Sequence, residues 1–507
     1  MPRSLSLLRA CALTLALCAP LSGCQLVLGI GNEEPLQTGG AGGTGGSGGT
    51  GATGAVGGTG GTGGTGGGTG GSGPCDGQPC APWEKVILGA VYGGPVDVDA
   101  QGNVVIAVFF TEGVDLGDGD PVVPVGFGDI ALIKYDRTGA FVWKKVFPAA
   151  DSQEVKSLDV DAAGNIAIGG DTTGQLDLGK GPLPPGAFVA KLDPDGNTLW
   201  SIGAASAAGP ASVGHVALDS KGNVLAGGNG GSINFGGGAL SSDPQSFYIA
   251  KLDGATGQEI WAKITLGSKT ESLVGLKVDS SDSPILTGQW TSAYLSLTEA
   301  GNTPPLDVHN SGGEDAIFLL RLDPDGNKSN SEMIAGQNAG FAGYVNDLGV
   351  DKFGWSILIG GFSGVIQFSE DQYDAGLETG AFVLRDQTTS FEQWTHGYVQ
   401  ASTSASLGRV AIDGSDNIVI VGWQGGGMDL GGGPLSADAG HFVLELDKEG
   451  AFRSQRQYVF GDGGIQNVAA GSLEDETVVV GSFYGTADLG SGLIEAPQGF
   501  FITRFTD

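Results

Sequence analysis

Residues 158–200, LDVDAAGNIAIGGDTTGQLDLGKGPLPPGAFVAKLDPDGNTLW, decide the fold. An apolar run ends at Asp161, the turn closes on Gly164-Asn165, and a strand-like apolar run follows. Asp177-Leu178-Gly179 marks a polar loop, a third apolar run reaches Leu192, and Asp193 to Gly196 turns the chain toward Trp200. Short β-branched runs separated by Gly, Asp and Asn turns predict four antiparallel strands joined by hairpins, with Gly supplying the positive φ that tight turns need. The preceding stretch repeats the plan, with strands expected over residues 96–99, 104–110, 130–135 and 140–147.

The unit recurs seven times. Asp99, Asp161, Asp219, Asp279, Asp351 and Asp413 end the first run of successive units, with Gly471 in the seventh, at steps of 62, 58, 60, 72, 62 and 58 residues. Such a period built of small sheets indicates radial repetition, and the fold expected is all-β: a seven-bladed β-propeller of four-stranded antiparallel blades. The fourth strand carries Trp143, Trp200, Trp261 and Trp394, with Asn330 and Ser454 at the other two places, and bulky rings there would seal one blade on the next. The seventh unit has no fourth strand, whereas residues 83–89, WEKVILG, form an orphan one, with Trp83 a normal 60 residues before Trp143. An N-terminal strand that closes the ring would leave no open edge. A linear solenoid has no such complementarity.

Ahead of the ring lies a different composition. Arg3 and Arg9, the apolar residues 10–19 and Leu21-Ser22-Gly23-Cys24 have the order of a signal peptide, too short in its apolar core to remain as a spanning helix. Residues 38–73 hold 22 Gly in 36 positions, a flexible coil with an r.m.s. span of roughly 30 to 35 Å. The division expected is therefore signal peptide 1–23, anchor and disordered Gly/Thr-rich tether 24–80, and propeller 81–507. Removal of the signal leaves Cys24, Cys75 and Cys80. In an oxidising envelope Cys75 and Cys80 would pair, closing a small loop that stabilises by roughly 2 kcal/mol. With 24 basic against 56 acidic residues, the chain disfavours nucleic acid and anionic bilayers as direct partners.

Motifs for chemistry are sparse. The tether's G-x-G-x-x-G at Gly58, Gly60 and Gly63 has no strand before it and no helix after it. Residues 193–197 and 323–327, both DPDGN, resemble the start of a calcium loop, but Ala204 and Ile334 stand where a bidentate acid is required. The expected role of Asp193 and Asp323 is to accept hydrogen bonds from turn amides, with weak Ca2+ binding as the alternative. His215, His309, His396 and His441 fall in different units without metal-ligand spacing, so no metal site and no cofactor is expected. No catalytic residue emerges, since a nucleophile elbow, a P-loop and a zincin motif are all lacking. Phe109, Phe110, Trp290, Phe362, Trp423 and Phe483 share the end of the second strand, where interblade core is the expected role and a binding rim the alternative.

Leu21 to Cys24 resembles the lipobox of bacterial lipoproteins, which implies that Cys24 is acylated, including by palmitate, and that Gln25 after it directs the protein to the outer membrane, on its periplasmic or cell-surface side. The repeat itself resembles the SBBP-type β-propeller proteins of bacterial envelopes, most clearly over residues 158–200, 216–261 and 410–450; this implies a propeller in the envelope with no settled activity. Residues 250–261 are also similar to the docking repeat of quinoprotein propellers and of the related outer-membrane assembly lipoprotein, an eight-bladed plan against the seven counted here.

A lipid-tethered, non-enzymatic binding or interaction module is the expected function, a monomer whose partner is an envelope protein or glycan. An assembly scaffold, or a hydrolase or lyase acting on envelope glycans, is the competing class. Hairpin alternation puts the connections from second to third strand and from blade to blade on one face, and these vary most in length. Trp290, His309, Phe341 and Tyr344 are the candidate binding residues there, and Lys221 and Arg137 mark the opposite face.

Overall fold

The computed structural model describes residues 81–204, 211–266, 270–291, 294–295, 297–298, 308–309, 316–335, 342–368, 371–386, 394–400, 403–471, 476–490 and 492–506. The chain divides into Met1–Gly70 and Gly71–Asp507, and the described residues all belong to the second unit. The signal peptide, Cys24, the tether, Cys75, Cys80 and Phe341 lie outside them, as do the side chains of His309 and Ile334.

Seven antiparallel blades of four strands each form a β-propeller, with the two-residue strand Leu297–Thr298 added to the outer edge of blade 3. Blade 1 runs through Val91–Val98, Val104–Phe110, Asp129–Tyr135 and Phe141–Phe147, each strand paired with the one before it. Blades 2 to 6 begin at Gln153, Ser212, Glu271, Ala342 and Ala405 and repeat this order. Blade 7 takes Phe460–Ala470, Glu476–Asp488 and Leu493–Thr506 and is completed by Trp83–Leu88, which pairs with the last strand in the register Trp83↔Arg504 to Leu88↔Gly499. The orphan strand does close the ring.

First strands are innermost: each packs against the first strands of both flanking blades, all the way round. They begin earlier than the sequence indicates, at Val91 rather than residue 96 in blade 1, because a β-bulge interrupts each one. The shift falls between Gly93 and Val96, Val155 and Ser157, Val213 and His215, and at the matching place in every other blade. A bulge adds twist and re-aims the following side chains, here toward the axis. Alternation with period 2 fails across it, so pattern reading found only the segment beyond.

The core is seven interblade sandwiches rather than one centre. One joins Ile106 and Ile133 of blade 1 to Val480 and Phe500 of blade 7; another joins Val105 and Leu132 to Ile168 and Phe188 of blade 2. A fourth-strand Trp seals five of the seven junctions. Trp143 Nε1 donates to Pro194 O at 3.1 Å, Trp200 to Gly254 O at 3.1 Å, Trp261 to Pro324 O at 3.2 Å and Trp83 to Arg137 O at 3.2 Å. The partner turn's Gly lies flat on the ring: a Cβ at Gly257 (φ +73°) would come within 2.7 Å of Trp200.

Asp at the end of the first strand has two tasks. Asp99 accepts from Gln101 N at 3.0 Å, Asn103 N at 2.8 Å and Asn103 Nδ2 at 2.8 Å, which closes the turn. It also pairs with Lys134 at 3.1 Å from the third strand, as Asp219 does with Lys251 at 2.9 Å. Asp193 and Asp323 use their carboxylates similarly on Asn197 and Asn327, the turn role expected of them. Asp282 and Asp416 stand where other blades have Gly, at φ 62° and 68°. Each grips the preceding blade, through Ser220 N at 2.8 Å and Lys352 N at 3.1 Å.

Candidate functional site

Short Asp-capped turns occupy one face of the ring, the turn face, and the longer connections occupy the other, the loop face. On the loop face, Asp-Leu-Gly builds a small ribbon. Asp115 accepts from Gly117 N at 2.9 Å and Gly119 N at 3.0 Å, and Asp177 and Asp429 repeat the pattern, while Leu116, Leu178 and Leu430 plug the blades beneath. Blades 5 and 7 instead extend their second and third strands into long ribbons. The clasp strand starts beside Gly139 and Arg137 on the turn face.

Inside, polar side chains at the re-aimed positions bind the innermost strand of the next blade. Asp97 accepts from Val160 N at 2.7 Å and Val98 N at 2.8 Å, Asp159 from Leu218 N at 2.7 Å, Ser157 from Val216 N at 2.9 Å, and Asp347 from Val410 N at 3.0 Å. These amides belong to edge strands that would otherwise lack partners. Lys277 and Arg409 lie on innermost strands and stay exposed by area, lining the central channel of the ring. Burial alone would push the Lys277 ammonium down, but Asp159, Asp347 and Asp97 together hold it above its ordinary value. Burial, reinforced by Asp159, pushes the Asp97 carboxyl up to about 7, with Lys277 opposing. Burial also lowers His215 to about 4, although Asp347 pulls the other way.

Sequence reasoning left this cluster unread except for His215, treated as isolated. Its members sit two and four residues before the repeat Asp, a position that is polar in some blades and Pro95, Gly275 or Ala217 in others, so no repeating signal marks it.

Of the candidate binding residues, Trp290 and Tyr344 have described side chains, and both lie in strands. Trp290 is 0 % exposed and packs on Phe318 at 5.9 Å between ring centroids, inside the junction of blades 3 and 4. Tyr344 lies in the first strand of blade 5 rather than in a loop, half-buried, with its hydroxyl bonded to Ser406. The backbone of His309 pairs with Tyr294 in a two-residue ribbon. Of the row at the second-strand ends, Phe110, Phe362 and Phe483 are core like Trp290, while Trp423 is 39 % exposed. Arg137, on the opposite face, pairs with Glu476 of blade 7 at 3.1 Å. Lys221 is exposed.

What the loop face does expose is aromatic. Tyr92 (37 %) and Tyr484 (38 %) hydrogen-bond through their hydroxyls, Tyr92 lies 6.2 Å from the Phe109 ring, and Phe127 is 77 % exposed in the blade 1 connection. With Trp423 they occupy blades 6, 7 and 1, which are consecutive in the ring. Among the described residues, no group of three or more His, Cys, Asp or Glu is placed to hold a metal ion.

No family model matches the chain, and no curated protein matches it either. Among solved structures it is similar to the β-propeller domain of Cps50 (Swd1) from Myceliophteria thermophila, at 9 % identity over 83 % of this chain and 99 % of that one, TM-score 0.38. Others are a virginiamycin B lyase from Staphylococcus aureus (9 % identity, 71 % and 97 % covered, TM-score 0.32) and the Synechocystis apocarotenoid oxygenase (11 %, 85 % and 98 %, TM-score 0.37). Identities and scores this low carry no argument about activity.

Proposed function

We propose that this protein is a lipid-tethered, non-enzymatic binding module of the bacterial envelope that engages its partner with the loop face of the ring. The asymmetry of the two faces carries the reading. Among the described residues, turns on one side are short and most are closed by their own Asp, with Phe353 an exposed exception, whereas connections on the other differ in length from blade to blade and leave Val123, Val125 and Phe127 in water. Variable connections on a rigid scaffold are where binding sites reside.

Site-specific photo-crosslinking tests the face. A benzophenone side chain at Phe127 should give adducts in cells, and one at Lys221 should give none. Adducts from Lys221 alone would overturn the reading. Anchoring is tested separately: Cys24→Ser should move the protein from the membrane pellet to the soluble fraction, and unchanged pelleting would reject the lipid anchor.

A further inference from the structure

We propose that the aromatic sector of blades 6, 7 and 1 is a platform for an uncharged oligosaccharide; this rests on the loop-face reading and gives it a ligand class. Three observations lead there. First, Trp423, Tyr484 and Tyr92 each keep over a third of their surface in water on the two innermost strands of consecutive blades, with Phe127 beyond them. Aromatic faces pack against the C–H faces of sugar rings, and a rigid ring loses little entropy on binding.

Second, the rings are already held in place. Tyr92 is bonded to Tyr484 and packed on Phe109, whose ring lies where any side chain at Gly128 would have to go: a Cβ there would meet it at 2.4 Å. Asp462 stands near Tyr484, exposed, with Oδ1 accepting from Gly463 N at 2.8 Å. Carboxylates accept well from sugar hydroxyls, so rings and acceptor lie side by side.

Third, the alternatives fit less well. An extended peptide would gain affinity by adding a strand to the inner edges, but the amides of Val160, Leu218, Val216 and Val410 are already taken by the preceding blade. An acidic polymer would face a net charge of −32.

The test uses the full chain carrying Cys24→Ser, titrated by calorimetry with cellohexaose and with hexa-N-acetylchitohexaose. Saturable binding of at least one sugar is expected, weakened about tenfold or more by Tyr92→Ala and by Trp423→Ala. Trp423→Tyr, which keeps a ring, should retain most of it, and Phe353→Ala on the turn face should leave it unchanged. Melting curves of each variant separate lost binding from lost folding. No saturation by either sugar below about 10 mM, where even a weak site would fill, would overturn the proposal. So would binding indifferent to both alanine changes, or a lysine-rich decapeptide occupying the rings in place of sugar. If the sugars fail while the Phe127 crosslinker still captures a partner, the ligand class falls and the loop-face reading stands.

Discussion

A few residue pairs hold blade to blade. Gly196, Gly257, Gly326 and Gly450 each lie on the Trp of the preceding blade, so Gly and Trp, in different units, form one contact. At Gly257 an added methyl meets both a positive φ and the Trp200 ring, and Gly257→Ala should destabilise by about 2 kcal/mol in chemical denaturation. A change under about 0.5 kcal/mol would show that the ring gives way freely. The channel supplies a second residue-scale expectation. Asp97 titrates near 7 in the folded ring against an ordinary 3.8, so the folded state holds its proton where the unfolded chain has lost it. Its contribution is therefore full below about 4 and is lost as pH rises toward 7. His215 has the opposite sign: lowered to about 4, it contributes more as pH rises from 4 to 6.5. Asp159 and Lys277 act on Asp97, and Asp347, Arg409 and Lys277 act on His215; because the two shifts have opposite sign, the two trends offset each other between about pH 4 and 6.5. Asp97→Asn, which leaves one acceptor oxygen for the two amides of Val160 and Val98, should lower the melting temperature more at pH 4.5 than at pH 8, where the wild-type carboxylate is charged, and equal shifts at the two pH values would contradict the assignment.

Among the elements, the clasp strand is the one whose removal has the clearest consequence. Without Trp83–Leu88, the last strand from Gly499 to Arg504 keeps its inner neighbour but loses its outer partner, and Phe500 and Ile502 lose part of the junction they share with blade 1. Deleting residues 1–90 should abolish cooperative melting or cause aggregation, whereas deleting 1–73 should leave melting unchanged. Equal melting of the two truncations would show that the clasp is dispensable. The inner strands show why sequence reading stops short. Beyond each bulge their alternation matches the expected strand, and before it, at Tyr92 or Glu154, the side-chain sense has shifted, so the rim residues had no visible pattern. Tyr344 was assigned to a loop for the same reason.

For the whole molecule, the period near sixty residues, the Asp-closed turns, the fourth-strand Trp and the complementary ends were enough to reach a seven-bladed ring closed from the N-terminus. They are local and repeated, and each copy strengthens the reading of the others. Which residues meet was a different matter. Trp290 and Trp423 both end a second strand, yet one fills a junction and the other meets water, because the registers set them one position apart: Trp290 aligns with buried Gln424, and Trp423 with Gln289 on the opposite side of the blade. Asp97, Asp159 and Asp347 become neighbours of Lys277 only when blades 1, 2, 4 and 5 face one axis. Repetition fixes each blade through contacts close along the chain. Closure of the ring, which brings together residues hundreds of positions apart, decides what lines the channel and what the loop face exposes.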